Sequence, residues 1–353
     1  MSISKNELKV GHLVLIDVEN AVNLERKEYY AVITHKYPDL DIVNYVVVSE
    51  KTLHKNQKLD VCVNKYDYFD KKKVTGYYDF RFLISMDICR IKKVVGRLKA
   101  EFSDQLEMRY LEYLGSKIKN FDEVAQVIEY FYDNQKFSLS NKIRKRYINT
   151  AKVACVLSDI TIPKEIKPKY FIHKEGNLSL VDFGFRACNT EIMKRRYAVT
   201  MSYDNKTGLM SCLPISTKED NIDWHMFVDD NMIYNKYCQT VLHGNAYPEQ
   251  SKMFYRSRTI KVVGRVKHDK IMRLLCDQHH VNFMYYKENK ESNSITTFQK
   301  KKMVEKRISA ILDGVRVEMS DMDKYIEWKK NILQNLRYAF KEDTQFIVNN
   351  YIN

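Results

Sequence analysis

The stretch KRRYAVTMSYDNKTGLMSCLPISTK, residues 194–218, decides how we interpret this chain. Residues 197–202 favour a β-strand, Asp204 and Gly208 are turn formers, and residues 209–215 favour a returning strand. The stretch therefore predicts a β-hairpin. Basic residues lie at the start of the first strand of this hairpin. Two hydroxyl side chains and a lysine lie at the end of its second strand.

The side chains at the open end of the hairpin are cations and hydroxyls, without a cluster of acids or histidines. Arginine offers a planar, permanently charged fork to phosphate oxygens, and serine or threonine can donate to a phosphate or relay a proton. This combination suits phosphodiester chemistry without a metal. The alternative is a surface hairpin whose basic residues are simply solvated. The residues concerned are Lys194, Arg195, Arg196, Ser216, Thr217 and Lys218.

The composition indicates a folded, basic protein. The hydrophobic content of 44% argues against disorder, and 353 residues are enough for two domains of ordinary size. The net charge of +14 favours a polyanionic partner, although charge alone does not choose among nucleic acid, an acidic protein and a membrane surface.

The cysteines and the apolar segments indicate a cytoplasmic protein. The 7 cysteines are dispersed without a CxxC pair, which argues for reduced thiols and against disulfides or a zinc site. No apolar run approaches the length that spans a membrane, and the first residues do not resemble a secretion signal. We therefore expect no metal, no cofactor and no membrane association.

Short pieces of sequence recur in the same order at an offset of 165 to 168 residues. The pairs are residues 11–17 and 176–182, 30–32 and 197–199, 48–51 and 215–218, and 94–99 and 262–267. Four matches at a nearly constant offset predict an internal duplication.

Each copy starts with strand-like segments, whose spacing is typical of a small barrel or sandwich, and continues into helical patterns. The fold class is therefore α+β. Prolines at 163 and 168 indicate a linker, which predicts a first domain at 1–160 and a second at 170–353. The predicted helices start at Ser103 or Asp104 and just after Asp269, and cover 124–131, 141–157, 297–312 and 320–341.

The second copy resembles toxin ribonucleases of the MazF/PemK/Kid type and their relatives of the ToxN/AbiQ type. The resemblance covers residues 171–280 and, through the repeat, residues 8–115. The pieces that carry it are GNLSLVDFG at 176–184, RRYAV at 195–199, LPIST at 213–217 and RTI at 258–260.

The resemblance implies two SH3-like barrels in tandem, each followed by helices. In that family the barrel usually pairs with a second one, and RNA lies across the interface. Here the two copies would form that pair within one chain, and a homodimer is also open. The implied activity is a metal-independent endoribonuclease toxin of the toxin–antitoxin or phage-defence kind, with a protein or RNA antitoxin as partner. The alternative is a duplicated barrel that binds RNA or an antitoxin without cleaving.

The resemblance also implies roles for individual residues. Arg196 matches the family's catalytic arginine and Ser216 its threonine, while Thr217 and Lys218 match polar positions of the ToxN type. The first copy departs from this pattern, since Tyr29 stands in place of Arg196, so we expect it to support the pair or hold RNA. The general base is unassigned, with Lys218 a candidate if its pKa is lowered. The expected RNA-binding residues are Lys194, Arg195, Ser49, Lys51, Arg90 and Arg258.

Overall fold

The computed structural model describes thirteen segments of the chain. They are residues 7–19, 26–36, 42–49, 66–68, 76–98, 100–133, 173–182, 195–216, 225–229, 232–236, 243–284, 297–315 and 322–342. The chain divides into two compact units, one of residues 1–103 and 140–282 and the other of residues 104–139 and 283–353. The first unit contains the strands.

Two antiparallel sheets make up most of the first unit. The first sheet has six strands in the order β4-β6-β1-β2-β3-β5. These strands are formed by segments that contain β-branched and aromatic residues, as expected for side chains that pack on a half-buried pleated surface. Their bounds are β1 His12–Glu19, β2 Arg26–Lys36, β3 Ile42–Ser49, β4 Tyr66–Tyr68, β5 Tyr77–Asp87 and β6 Ile91–Leu98.

The second sheet has eight strands in the order β10-β12-β9-β8-β7-β14-β11, with β13 also paired to β9. Its bounds are β7 Asn177–Asp182, β8 Arg195–Tyr203, β9 Leu209–Ser216, β10 Phe227–Asp229, β11 Ile233–Lys236, β12 His243–Ala246, β13 Lys252–Tyr255 and β14 Thr259–Val266. The predicted hairpin of residues 197–215 is confirmed as β8 and β9. The sheet is followed by helix α3, His268–His279.

The two sheets repeat the same strand pairings. The matching pairs are Leu13–Gly96 and Leu178–Gly264, Leu15–Tyr30 and Leu180–Tyr197, and Ala31–Val47 and Ala198–Pro214. A register shift occurs next to the glycine pair in both sheets. The order β6-β1-β2-β3 of the first sheet thus returns as β14-β7-β8-β9 in the second.

Direct hydrogen bonds join the two sheets within this unit. The backbone N–H of Ser85 donates to the carbonyl oxygen of Ser251 at 3.0 Å, and the Ser85 hydroxyl donates to the carbonyl oxygen of Glu249 at 2.7 Å. On the other side of the contact, the Ser202 hydroxyl donates to the carbonyl oxygen of Arg81 at 2.7 Å. Leu209 of the second sheet is part of the apolar core of the first.

Helices build the second unit. They are α1 Ala100–Gly115, whose first residues belong to the other unit, α2 Phe121–Asp133, α4 Thr297–Gly314 and α5 Met322–Glu342. Buried Glu107 and Arg307 form an ion pair at 2.8 Å between α1 and α4. A Cβ on Gly115 would lie 2.0 Å from the carbonyl oxygen of Ile311, so glycine permits the close approach of these two helices.

Most of the predicted helices are confirmed. Helix α1 begins slightly before Ser103, while α2, α3 and α4 agree with the predictions for 124–131, Asp269 and 297–312. The predicted helix 141–157 and the linker prolines lie outside the described residues, so the proposed domain boundary stays a prediction. Among the described helices, none is both long enough and apolar enough to cross a membrane.

Candidate functional site

Arg196 and Ser216 lie on neighbouring strands at the open end of the β8–β9 hairpin. The β8–β9 register pairs Ala198 with Pro214, and extending it by two residues places Arg196 opposite Ser216. Residues directly opposite one another in an antiparallel pair project to the same face. Both side chains are half-buried. The sequence-predicted cation and hydroxyl therefore share one face of the second sheet.

The closed end of the hairpin is a well-ordered turn. The Thr207 hydroxyl donates to Asp204 Oδ2 at 2.7 Å, and the backbone N–H of Lys206 donates to Asp204 Oδ1 at 3.2 Å. Burial opposes the charged carboxylate, but these hydrogen bonds and the nearby Arg81 hold the pKa of Asp204 below its ordinary value. Gly208 has φ +73°, the left-handed conformation that favours glycine. This turn fixes the pairing of β8 with β9 next to it, and a register shift between Thr200 and Ser202 precedes the Ala198–Pro214 pair.

The same face continues across two further strands. Ser216 pairs with Asn245 of β12, and Asn245 pairs with Phe227 of β10. We call these four residues (Arg196, Ser216, Asn245 and Phe227) the Arg196 row. Because neighbouring strands lie about 4.8 Å apart, the row is about 14 Å long. It begins with a cation, passes a hydroxyl and an amide, and ends with an aromatic ring.

A glycine brings β12 against the end of β9. A Cβ on Gly244 would lie 2.4 Å from the carbonyl oxygen of Ser216. The first sheet has the same feature, since a Cβ on Gly76 would lie 2.6 Å from the carbonyl oxygen of Ser49. Only glycine allows this approach without a backbone shift. The contact holds the backbone of each serine close to the neighbouring strand.

A fully buried hydrogen bond joins His225, just before β10, to Glu249, just after β12. His225 Nε2 lies 2.7 Å from Glu249 Oε1, and the His225 ring lies 4.4 Å from the ring of Tyr247. The backbone N–H of Tyr247 donates to the carbonyl oxygen of Pro214 at 3.1 Å. These contacts tie the segment after β12 to the strand that carries Ser216.

The equivalent row of the first sheet lacks the cation. Ser49 pairs with Tyr77, and Tyr29 occupies the position that corresponds to Arg196. Tyr29 packs against the core of the first sheet, and burial, together with the neighbouring Tyr255, raises its pKa. In the first sheet an aromatic side chain therefore packs at the position where the second sheet has a guanidinium.

Arg195 projects to the opposite face from Arg196, because neighbouring residues of a strand alternate. It is exposed, and its cross-strand partner is Asp182, which is buried. In the first sheet the corresponding carboxylate, Asp17, has Lys92 Nζ at 3.5 Å. Arg195 therefore lies across the strand pair from a buried carboxylate, on the face opposite to Arg196.

The structure describes only some of the remaining residues for which a site role was predicted. Arg90 and Arg258 each end a short 3₁₀ turn directly before the last strand of their sheet, as the repeat predicts. Arg258 is only 6% exposed, whereas Arg90 is half-buried. Lys194, Thr217, Lys218 and Lys51 lie outside the described residues. Their assigned roles stay predictions.

Sequence reasoning missed Asn245, Phe227 and the supporting His225–Glu249 pair. None of them belongs to a recognisable motif, and only strand pairing places them beside Ser216. The one available signal was the recurrence of a glycine at 76 and 244, an offset of 168 residues. Among the described residues, no group of three or more His, Cys, Asp or Glu side chains could hold a metal ion.

The fold and the Arg196 row define an α+β protein with two antiparallel sheets and a polar, cationic face at the end of the second. Two solved structures are similar to part of it. For the MazE–MazF complex of Deinococcus radiodurans (Form II), the identity is 14%, the coverage is 32% of this chain and 96% of that chain, and the TM-score is 0.25. For MazF of the same organism (Form I), the identity is 17%, the coverage is 32% of this chain and 97% of that chain, and the TM-score is 0.26. No protein-family model and no curated protein matches the chain.

Proposed function

We propose that the protein is a metal-independent endoribonuclease, of the kind found among toxins of toxin–antitoxin and phage-defence systems. The observation that carries this proposal is the β8–β9 register, which pairs Ala198 with Pro214 and, extended by two residues, sets Arg196 opposite Ser216. A guanidinium and a hydroxyl on one face, flanked by further basic residues in sequence, form a suitable cradle for a phosphodiester.

The reaction that fits this cradle is attack by the RNA 2′-hydroxyl on the adjacent phosphorus. A bond forms between the 2′-oxygen and phosphorus, and the bond from phosphorus to the 5′-oxygen breaks. A base takes the 2′-hydroxyl proton, and the leaving 5′-oxygen receives a proton, which leaves a cyclic phosphate and a 5′-hydroxyl. Arg196 stabilises the charge of the phosphorane, and Ser216 donates a hydrogen bond to it. Thr217 and Lys218 are the proposed neighbours for proton transfer.

We further infer that the two sheets descend from a tandem duplication and act as an intramolecular pair of SH3-like barrels. The matched pairings, the matched register shifts and the recurring glycines at 76 and 244 support this inference. The first copy, with Tyr29 in place of the arginine, supports the pair or holds RNA through Ser49, Lys51 and Arg90. An antitoxin, protein or RNA, would bind the same basic face.

A second candidate function is binding of RNA or an antitoxin without cleavage. Two observations favour it. The first row has lost its cation at Tyr29, and the described residues of the Arg196 row supply no obvious general base. Under this alternative the chain would shift RNA in a gel and leave it intact.

The decisive experiment uses purified protein, single-stranded RNA and EDTA, followed by analysis of the product ends. We expect cleavage with cyclic-phosphate and 5′-hydroxyl ends, which Arg196→Ala and Ser216→Ala abolish or strongly reduce. Arg256→Ala is the matched control, because Arg256 is an exposed arginine beside the closed end of the same hairpin. Intact RNA that is nevertheless bound would support the binding function, and equal loss of cleavage in Arg256→Ala would refute the assigned site.

A further inference from the structure

Phe227 is an exposed aromatic ring at the far end of the Arg196 row. It is 37% exposed, and among the large hydrophobic residues that the structure describes as exposed, it is the aromatic one. The ring of His243 meets it edge to face, with centroids 4.7 Å apart and planes at 81°. His243 is also exposed. Edge-to-face packing is a favoured geometry for aromatic pairs, and both residues keep part of their surface exposed to solvent.

Strand pairing puts this aromatic pair on the face that carries the phosphate cradle. Phe227 pairs with Asn245, and His243 lies two residues before Asn245 on the same strand, so all three project to one face. Asn245 in turn pairs with Ser216. The backbone positions of Phe227 and Arg196 are about three strand spacings, or about 14 Å, apart.

The surroundings of Phe227 favour a nucleobase over an apolar segment of a protein. Among the residues that the structure describes around Phe227, the exposed apolar surface is a single ring, and its neighbours on the row are polar or cationic. A protein helix or strand needs a wider apolar groove with several pockets. A nucleobase presents a π face to an aromatic ring and carries a phosphate that basic residues attract, which is how proteins bind single-stranded nucleic acid.

We propose that Phe227, together with His243, is a stacking site for an unpaired base next to the phosphate bound at Arg196 and Ser216. The stacked base must be unpaired, since a base within a duplex is already stacked and paired. This inference rests on the proposed function and adds to it a second point of contact with the RNA. Stacking at this distance also fixes which nucleotide step reaches the cradle.

The test measures binding without cleavage, in the Ser216→Ala background of the full chain. Fluorescence anisotropy with a labelled, unstructured RNA oligonucleotide gives the Kd at several salt concentrations. We expect Phe227→Ala to weaken binding about tenfold or more, as for other base-stacking aromatics, with the salt dependence unchanged. Phe227→Trp should keep the affinity. Ile326→Ala, an exposed apolar residue of the helical unit, is the matched control and should change nothing.

A second readout reports stacking directly. A 2-aminopurine substituted in turn at each position of the oligonucleotide should lose fluorescence at one position when wild-type Phe227 is present, and not with Phe227→Ala. Equal affinity and equal quenching in both proteins would overturn the stacking site while cleavage still supports the nuclease. Preferential binding of duplex RNA would also overturn it. The proposed function fails separately, if the wild-type protein leaves RNA intact or Arg196→Ala cleaves RNA as fast as the wild type.

Discussion

Arg196 of β8 and Tyr29 of β2 occupy the same register position in the two sheets. Each lies two residues before a matching pair, Ala31–Val47 in the first sheet and Ala198–Pro214 in the second, and extending each register places it opposite the serine at the end of the next strand. One position carries a permanent charge, and the other carries a phenol packed against Tyr255. The two sheets therefore share a pairing scheme, and this position differs between them in its chemistry.

Because only Arg196 carries a charge, we expect substitution of Arg196 and of Tyr29 to affect RNA cleavage differently. Removing a group that stabilises transition-state charge typically costs about a hundredfold or more in kcat, and we expect that loss for Arg196→Ala. Tyr29→Phe should keep cleavage and lower the free energy of unfolding by about 1 kcal/mol, because it removes a buried hydroxyl beside Tyr255. Cleavage kinetics and urea unfolding measure the two effects. A Tyr29→Phe protein without activity would show that the first copy takes part in the reaction.

The glycines at 76 and 244 allow a matched pair of variants. Gly244→Ala places a Cβ 2.4 Å from the Ser216 carbonyl oxygen, and Gly76→Ala places one 2.6 Å from that of Ser49. Both should destabilise the protein by about 1 to 3 kcal/mol, because the backbone must move. Only Gly244→Ala should also lower cleavage in the folded protein, since it displaces Ser216. Equal activity of the two variants, measured below their unfolding transitions, would argue against Ser216 as a site residue.

The buried hydrogen bond between His225 and Glu249 predicts that substitution of Glu249 lowers the free energy of unfolding. Glu249→Ala leaves the imidazole without its acceptor and should cost roughly 2 to 3 kcal/mol of unfolding free energy. Glu249→Gln keeps an acceptor oxygen and should cost clearly less. Thermal unfolding compares the variants. An identical Tm for Glu249→Ala and wild type would mean that the pair does not stabilise β12 against β9.

Two buried histidines predict acid sensitivity. Burial lowers the pKa of His35 from 6.5 to about 4, and burial with the nearby Arg97 lowers the pKa of His12 to about 4. Below pH 6.5 the unfolded chain binds protons at these histidines that the folded protein does not bind. The free energy of unfolding therefore falls as the pH drops below 6.5. Each histidine should cost about 2 kcal/mol between pH 7 and pH 5.

The variant that checks this pH dependence is His35→Gln. Its unfolding free energy should be less sensitive to pH between 7 and 5 than that of the wild type, whatever its absolute stability. Urea unfolding at a series of pH values gives the slope. A slope unchanged by the substitution would assign the acid sensitivity to other groups.

Local patterns predicted the elements of the fold well. The hairpin of β8 and β9 follows from alternating apolar residues on either side of a turn with Asp204 and Gly208, and each of these signals depends on neighbours in sequence. The helices after each sheet follow from periodicity in the same way. The recurrence of short pieces at offsets of 165 to 168 residues also predicted that the sheets would share one pairing scheme, and their registers agree.

The residues that complete the Arg196 row depended on strand pairing. Phe227 and Asn245 are separated from Ser216 by 11 and 29 positions, and no spacing rule places them beside it. The sequence of residues 194–218 determined a basic hairpin with hydroxyls at its open end, because turn chemistry and alternation act over a few residues. Which strand lies next to Ser216, and so which side chains extend that face, was decided by hydrogen bonds between distant segments and by the buried His225–Glu249 contact. Such contacts form only when the whole sheet is assembled, since their partners meet through tertiary packing and not through proximity in the chain.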